Sequence, residues 1–242
     1  MVATQGHLLA GKVLYSQPAS GFRSGIEPVL LAASIPARPG DRVLEAGTGA
    51  GAALLCLAAR VPGVLPVGVE IDSSLAALAA MNATANGFTA VEIIAGAIEG
   101  LRPPRPFDHA MANPPYHAPG GTSSPIAERE TAKRGSNAMV RTWIDRMSAC
   151  LRHRGSLTLI LPAGMLPQCL SAMAEADCAC TALFPLWPKS ERPAKLILLR
   201  GVKHGRALMR VMPGLVLHQP DGSFTGAARA ILNCNAALAL DS

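Results

Sequence analysis

Aromatic side chains make up only 4 % of this 242-residue chain, as two tryptophans, two tyrosines and five phenylalanines. A broad platform for stacking successive bases is therefore excluded. Charged residues are also scarce, at 16 %, while hydrophobic ones reach 50 %. That balance excludes a disordered polyelectrolyte and demands a folded core. No apolar run approaches the roughly 18 to 20 residues of a membrane-spanning helix. The longest candidates, such as residues 28–36, are short and bounded by proline. Residues 1–17 lack the charged-then-apolar order of a secretory signal, so a cytoplasmic protein with no membrane partner is expected. The six cysteines include one close pair, Cys178 and Cys180. A single C-x-C lacks the spacing of a zinc site, so the thiols are expected to be reduced, buried and metal-free.

What remains is enough for one domain with a large core. From Asp41 onward, short β-type runs alternate with helical patterns. Strands are expected at 42–46, 65–70, 91–95, 107–113, 157–161, 180–186 and 194–200, with helices between them. One long amphipathic helix carries Met139, Val140, Trp143, Ile144, Met147 and Leu151, with Ser136 as its expected N-cap. This order implies an α/β fold: a doubly wound, seven-stranded, mostly parallel sheet closed by an antiparallel hairpin of its last two strands. Residues 1–39 are expected to form an extension that covers a ligand, and residues 40–242 the single catalytic domain.

Ligands of such a sheet bind beyond the carboxyl ends of its strands. After the first strand comes Glu45-Ala46-Gly47-Thr48-Gly49-Ala50-Gly51. Glycines there let the backbone turn sharply and approach a ligand. Gly47-x-Gly49-x-x-Ala52 also satisfies the dinucleotide fingerprint, and Glu70 after the second strand suits a ribose in either case. A nicotinamide enzyme therefore stays open on these residues alone. Glu45 tips the balance, because a carboxylate before the turn can hold a cationic amino group but repels a pyrophosphate. That favours S-adenosyl-L-methionine held by Glu45, Gly47, Gly49, Gly51 and Glu70.

The fourth strand runs into Asn113-Pro114-Pro115-Tyr116. A planar amine attached to a ring or carbonyl is a poor nucleophile, because its lone pair is delocalised. The Asn113 side-chain oxygen and the Pro114 backbone carbonyl can accept its two N–H hydrogens, while Tyr116 stacks on its plane. Pro114 and Pro115 restrict the turn and have no N–H to compete.

These two motifs resemble the amino-methyltransferases that act on adenine N6, cytosine N4 or glutamine N5, within the Rossmann-like class I methyltransferases. The chain is most similar to the bacterial tRNA1(Val) adenine-37 N6-methyltransferase family. The likeness includes residues 15–23, Glu27, 31–33, Trp143-Ile144, 155–160, 213–218 and 221–222. It implies tRNA as substrate, S-adenosyl-L-methionine as cofactor, Asn113 also at the cofactor's edge, and Ala97 where such enzymes often carry an aspartate for the adenine amino group. Glu45, Thr48 and Ala97 depart from the family's commoner Asp, Cys and Asp.

Two alternatives stay open: a protein glutamine N5-methyltransferase, which shares the four-residue motif, and a non-catalytic RNA binder of the same fold. Only about forty residues precede the first strand of the alternation, and they do not read as the helical substrate domain of the glutamine enzymes. The net charge of +6 leans toward RNA. Lys189, Arg192, Lys195, Arg200, Lys203, Arg206 and Arg210 follow one another against Glu191 alone. The polar stretch 117–135 adds Arg129, Lys133 and Arg134, and is expected to be a mobile substrate loop.

Overall fold

The computed structural model describes residues 2–20, 24–115 and 126–240, with side chains in the long helix described from residue 138. Strands β1 (Ala3–Leu8) and β2 (Val13–Pro18) form an antiparallel hairpin apart from the main sheet, and helix α1 (Glu27–Ser34) follows. The alternating part is β3 (Arg42–Ala46), α2 (Ala52–Arg60), β4 (Leu65–Glu70), α3 (Ser73–Ala85), β5 (Glu92–Ala95), β6 (Phe107–Ala112), α4 (Ile126–Cys150) and β7 (Leu151–Pro162). The chain continues through α5 (Leu166–Glu175), β8 (Cys178–Lys189), β9 (Leu196–Lys203), β10 (Arg210–Val211), β11 (Leu215–His218) and α6 (Gly226–Cys234).

The main sheet has the order β10-β8-β9-β7-β6-β3-β4-β5, with β11 also pairing β8. Its pairings are parallel except those of β9, which folds back between β7 and β8. The expected seven strands and closing hairpin are present, and β10 and β11 lengthen the sheet at the outer edge of β8. Alternation along β3 sends Val43 to one face and Leu44 and Ala46 to the other, as a period of two requires. Val43 packs with the apolar sides of α1 and α2, and Leu44 with Val140, Ile144 and Met147 of α4. Leu30, Leu31, Leu54, Leu55, Ile144 and Met147 are essentially inaccessible. Each such side chain stabilises the fold by about 1.5–3 kcal/mol relative to leaving it in water.

The extension is part of this packing. Leu9, Val13 and Tyr15 are buried in the α1–α2 layer, whereas β1 pairs β2 and is exposed along nearly its whole length. Three expectations need correction. The long helix begins at Ile126, not after a cap at Ser136, so much of the stretch read as a loop is helical. Its first half, Ile-Ala-Glu-Arg-Glu-Thr-Ala-Lys-Arg, has good helix formers but no apolar stripe, so periodicity alone sees only the second half. Strand β7 starts at Leu151, six residues before Leu157, with a register shift opposite Phe107 and His109. Cys234, at the end of α6, is exposed.

Candidate active site

The carboxyl ends of β3, β4, β5 and β6 lie side by side and open into a cavity of about 1070 Å³. Strand β3 places Glu45 on the same face as Val43, toward α2, and there the carboxyl is buried. Thr48 donates its hydroxyl to Glu45 Oε2 at 2.7 Å. Burial is the main reason the Glu45 carboxyl is pushed up to about 8. The Thr48 hydroxyl and the Leu54 backbone N–H oppose the shift, and the nearby Glu70 charge adds to it. Burial thus favours the neutral acid, and a cation beside it would favour the carboxylate.

Gly47, Gly49 and Gly51 all adopt left-handed φ, at 66°, 56° and 91°. At Gly47 the demand is double, since a Cβ would also drive into the Trp143 ring. At Gly49 a Cβ would meet nothing within 4 Å, so the bare backbone faces open space. The turn is fastened to the neighbouring strand: Gly47 and Thr48 donate their N–H groups to the Val69 carbonyl at 2.8 and 3.1 Å. Gly51 does not line the cavity; it is the N-cap of α2, packed close to Ala79.

Glu70, at the end of β4, is also buried. Its two oxygens accept from the backbone N–H groups of Gly49 (2.8 Å) and Asp72 (3.0 Å). Asp72 then caps α3 by accepting from Ser74 and Leu75. After β5 the turn brings Ala97, Ile98 and Glu99 to the cavity. Asn113, Pro114 and Pro115, at the end of β6, line the wall beside Trp143 and Met139 of α4. The structure thus brings together Glu45, Gly47, Gly49, Glu70, Ala97, Asn113, Pro114 and Pro115. Tyr116 lies outside the described residues.

Sequence reasoning missed several wall residues. Ile71 is 76 % exposed at the cavity edge, and Trp143, expected on the apolar face of the long helix, also lines the wall; Tyr15, Ser24 and Pro28 come from the extension that was expected to cover a ligand. Hydrophobicity next to Glu70 and an aromatic residue one helix after the Asn113 motif were the available signals. The cavity's charge is one-sided. Glu27, Glu45, Glu70, Asp72 and Glu99 line it, with no lysine or arginine among the described lining residues. A pyrophosphate would face these acidic side chains, which disfavours the dinucleotide reading. A cationic cofactor fits, with Glu45 for its amino group, Glu70 for a ribose and the open face of Gly49 between them.

Residues 26–165 match the methyltransferase small domain family. The chain belongs to this family. A methyltransferase of 242 residues, it shares 29 % identity over 207 residues with the tRNA1(Val) (adenine(37)-N6)-methyltransferase of Aeromonas hydrophila, covering 84 % of this chain and 86 % of that one. The protein of the same name in Porphyromonas gingivalis (strain ATCC 33277) is 31 % identical over 156 residues, covering 60 % and 61 %. Among solved structures, a predicted O-methyltransferase from Agrobacterium tumefaciens superimposes with a TM-score of 0.74 at 21 % identity, covering 89 % of this chain and 100 % of that one. TrmN from Thermus thermophilus does so with 0.53 at 20 %, covering 69 % and 45 %. These superpositions establish the class I methyltransferase fold. The methyltransferase uses S-adenosyl-L-methionine as its cofactor.

The expected basic face divides in three dimensions. Arg200 is buried within the sheet, with Nε on Thr158 and a guanidinium N–H on the Ser34 carbonyl. Lys203 Nζ is held by the carbonyls of Ser148 and Leu151. Arg192 and Lys195 remain on the loop between β8 and β9, next to Leu196 on the cavity wall.

Proposed function

We propose that this methyltransferase places a methyl group on N6 of an adenine in a tRNA, with the amine oriented by Asn113 and Pro114. One observation carries the reading: Asn113-Pro114-Pro115 ends β6 on the wall of the same acidic cavity that holds Glu45 and Glu70. The choice of an adenine in tRNA draws on the names of the relatives.

When bound, S-adenosyl-L-methionine supplies an activated methyl group on a positively charged sulfur. Glu45 and the turn of Gly47 and Gly49 would hold the methionine part, Glu70 the ribose, and Ala97 with Ile71 and Ile98 the adenine end. Asn113 Oδ1 and the Pro114 carbonyl each accept one amine hydrogen, turning the nitrogen lone pair out of the ring plane and toward the methyl group. Pro115 stiffens the turn, and Tyr116 is assigned to stack on the base. No general base is required before attack, because the proton is lost readily once the nitrogen is alkylated. Positioning then supplies most of the acceleration, worth up to about 7–11 kcal/mol.

The carboxylate wall also acts on the substrate. Phosphates are repelled from the cavity, so a base must enter alone, extruded from any stack at a cost of roughly a few kcal/mol. Arg192 and Lys195, on the loop that leads into Leu196 of the cavity wall, are assigned to phosphates of the flanking nucleotides, which they would hold by salt-sensitive contacts. Residues 1–39 and 40–242 are assigned to one catalytic unit, and a tRNA substrate places its work in the cytoplasm. Labelled cofactor offered with unfractionated tRNA and, separately, with a release factor tests the reading. Label is expected in the RNA; label in the protein alone would establish the glutamine reading instead.

A further inference from the structure

Strand β2 has one edge on β1 and the other on a helix. Along that second edge, α3 presents Asn82 and its C-cap residue Asn86, four residues apart and therefore on one side of the helix. Asn86 accepts from the Leu14 N–H at 2.9 Å and donates to the Leu14 carbonyl at 2.7 Å. Asn82 does the same for Ser16, at 2.9 and 2.8 Å. Residues two apart on a strand are about 6.6–6.8 Å apart, and residues four apart on a helix rise by about 6.0 Å. The spacings match, so two side-chain amides stand in for a neighbouring strand.

Asn82 also reaches the cofactor side. The second hydrogen of its amide goes to the Ala50 carbonyl, inside the glycine turn, at 2.9 Å. Asn82 is 3 % exposed, so water does not compete for these bonds. Tyr15 and Pro18 of this strand, with Ser20 and Ser24 beyond its end, line the cavity as its roof, and the Tyr15 and Ser24 hydroxyls are 2.8 Å apart. One buried amide therefore fixes the roof and the floor of the cofactor cavity relative to each other.

We propose that Asn82 is a positioning residue that couples docking of the N-terminal hairpin to cofactor binding. The cofactor binds best when β2 is docked, and by reciprocity a bound cofactor holds β2 down. This rests on the cofactor occupying this cavity. Asn86 supplies the control, because it holds the same strand without contacting the turn.

The experiment uses the full chain and S-adenosylhomocysteine as probe, with calorimetry for affinity and amide hydrogen exchange at Leu14 and Ser16 for docking. Asn82→Asp keeps the shape and the acceptor but removes both donors. It is expected to weaken probe binding at least tenfold, and Asn86→Asp by clearly less at matched thermal stability. In the wild type the probe should slow exchange at Ser16; in Asn82→Asp that slowing should disappear. Wild-type affinity in Asn82→Asp, or wild-type exchange at Ser16 indifferent to the probe, would overturn the proposal alone. A wild type that does not bind the probe would overturn the cofactor reading and the proposal together. If Asn82→Asp does not fold, the wild-type exchange experiment still decides.

Discussion

The carboxylate of Glu70 accepts the backbone N–H of Gly49 at 2.8 Å, tying the end of β4 to the turn that follows β3. The same group is assigned to a ribose, so under that proposal it would shape the turn and also meet the ligand. Glu70→Ala should raise the dissociation constant for S-adenosylhomocysteine by about tenfold or more, the range for losing a hydrogen bond to a charged group. Calorimetry checks this, and unchanged affinity would remove Glu70 from the ribose contact.

Asn113→Ala separates chemistry from binding. Removing one of two acceptors for the amine should lower kcat by about a hundredfold or more, the scale seen when a single preorganised polar contact is lost. Cofactor affinity should change little. Single-turnover rates and calorimetry on the same preparation decide, since equal losses in both would make Asn113 structural.

Glu45 predicts a pH dependence of defined sign. Its carboxyl is raised from 4.5 to about 8 by burial, so its stabilising share is complete below about 4.5 and is lost as pH rises through about 8. The wild-type Tm should therefore fall more steeply than that of Glu45→Gln between about pH 4.5 and pH 8, and run parallel to it above that range. A cationic ligand reverses the preference, so binding at pH 7 should release a proton from the wild type and none from Glu45→Gln. Calorimetry in buffers of different ionisation enthalpy reads that proton.

Gly47 and Trp143 should behave as a coupled pair. Gly47→Ala adds a Cβ against the Trp143 ring and forces alanine to a φ of 66°, where the left-handed cost is about 1–2 kcal/mol. Denaturant melts should show Trp143→Ala recovering the steric part of the loss but not the backbone part. Strictly additive effects would show that the ring gives way freely.

Ala97 leaves the adenine end without the carboxylate that the family pattern suggests, but Glu99 lines the same cavity two residues later. Glu99→Ala should weaken S-adenosylhomocysteine by about tenfold, the worth of one hydrogen bond to a charged group. The inosine analogue should be left nearly unaffected. An equal loss for both ligands would show that Glu99 does not read the amino group.

The parallel core was readable because β3, β4 and β6 are short β-type stretches that lead into motif residues, and Arg42–Ala46 and Leu65–Glu70 fall where pattern alone puts them. Glu45, Glu70 and Asn113 were readable for the same reason, since chemistry follows strand ends in such a sheet. The hairpin was not. Strand β1 buries almost nothing, and β2 is held by Asn82 and Asn86, whose significance depends on a contact more than sixty residues away. The early start of α4 escaped because its first half carries no apolar stripe. Helix α6 did leave a signal, Thr225, whose hydroxyl accepts the Ala228 N–H at 3.1 Å. The place of Trp143 against the glycine turn left no signal beyond an apolar helix face, because that contact exists only in three dimensions.

The most direct test of the central claim is the identity of the nucleoside that receives the methyl group. Unfractionated tRNA treated with the purified chain and labelled S-adenosyl-L-methionine would be digested to nucleosides and separated by chromatography with mass detection. The account predicts label in N6-methyladenosine, and none when Asn113→Ala replaces the wild type. Label in any other nucleoside, or undiminished N6-methyladenosine with the variant, would contradict it.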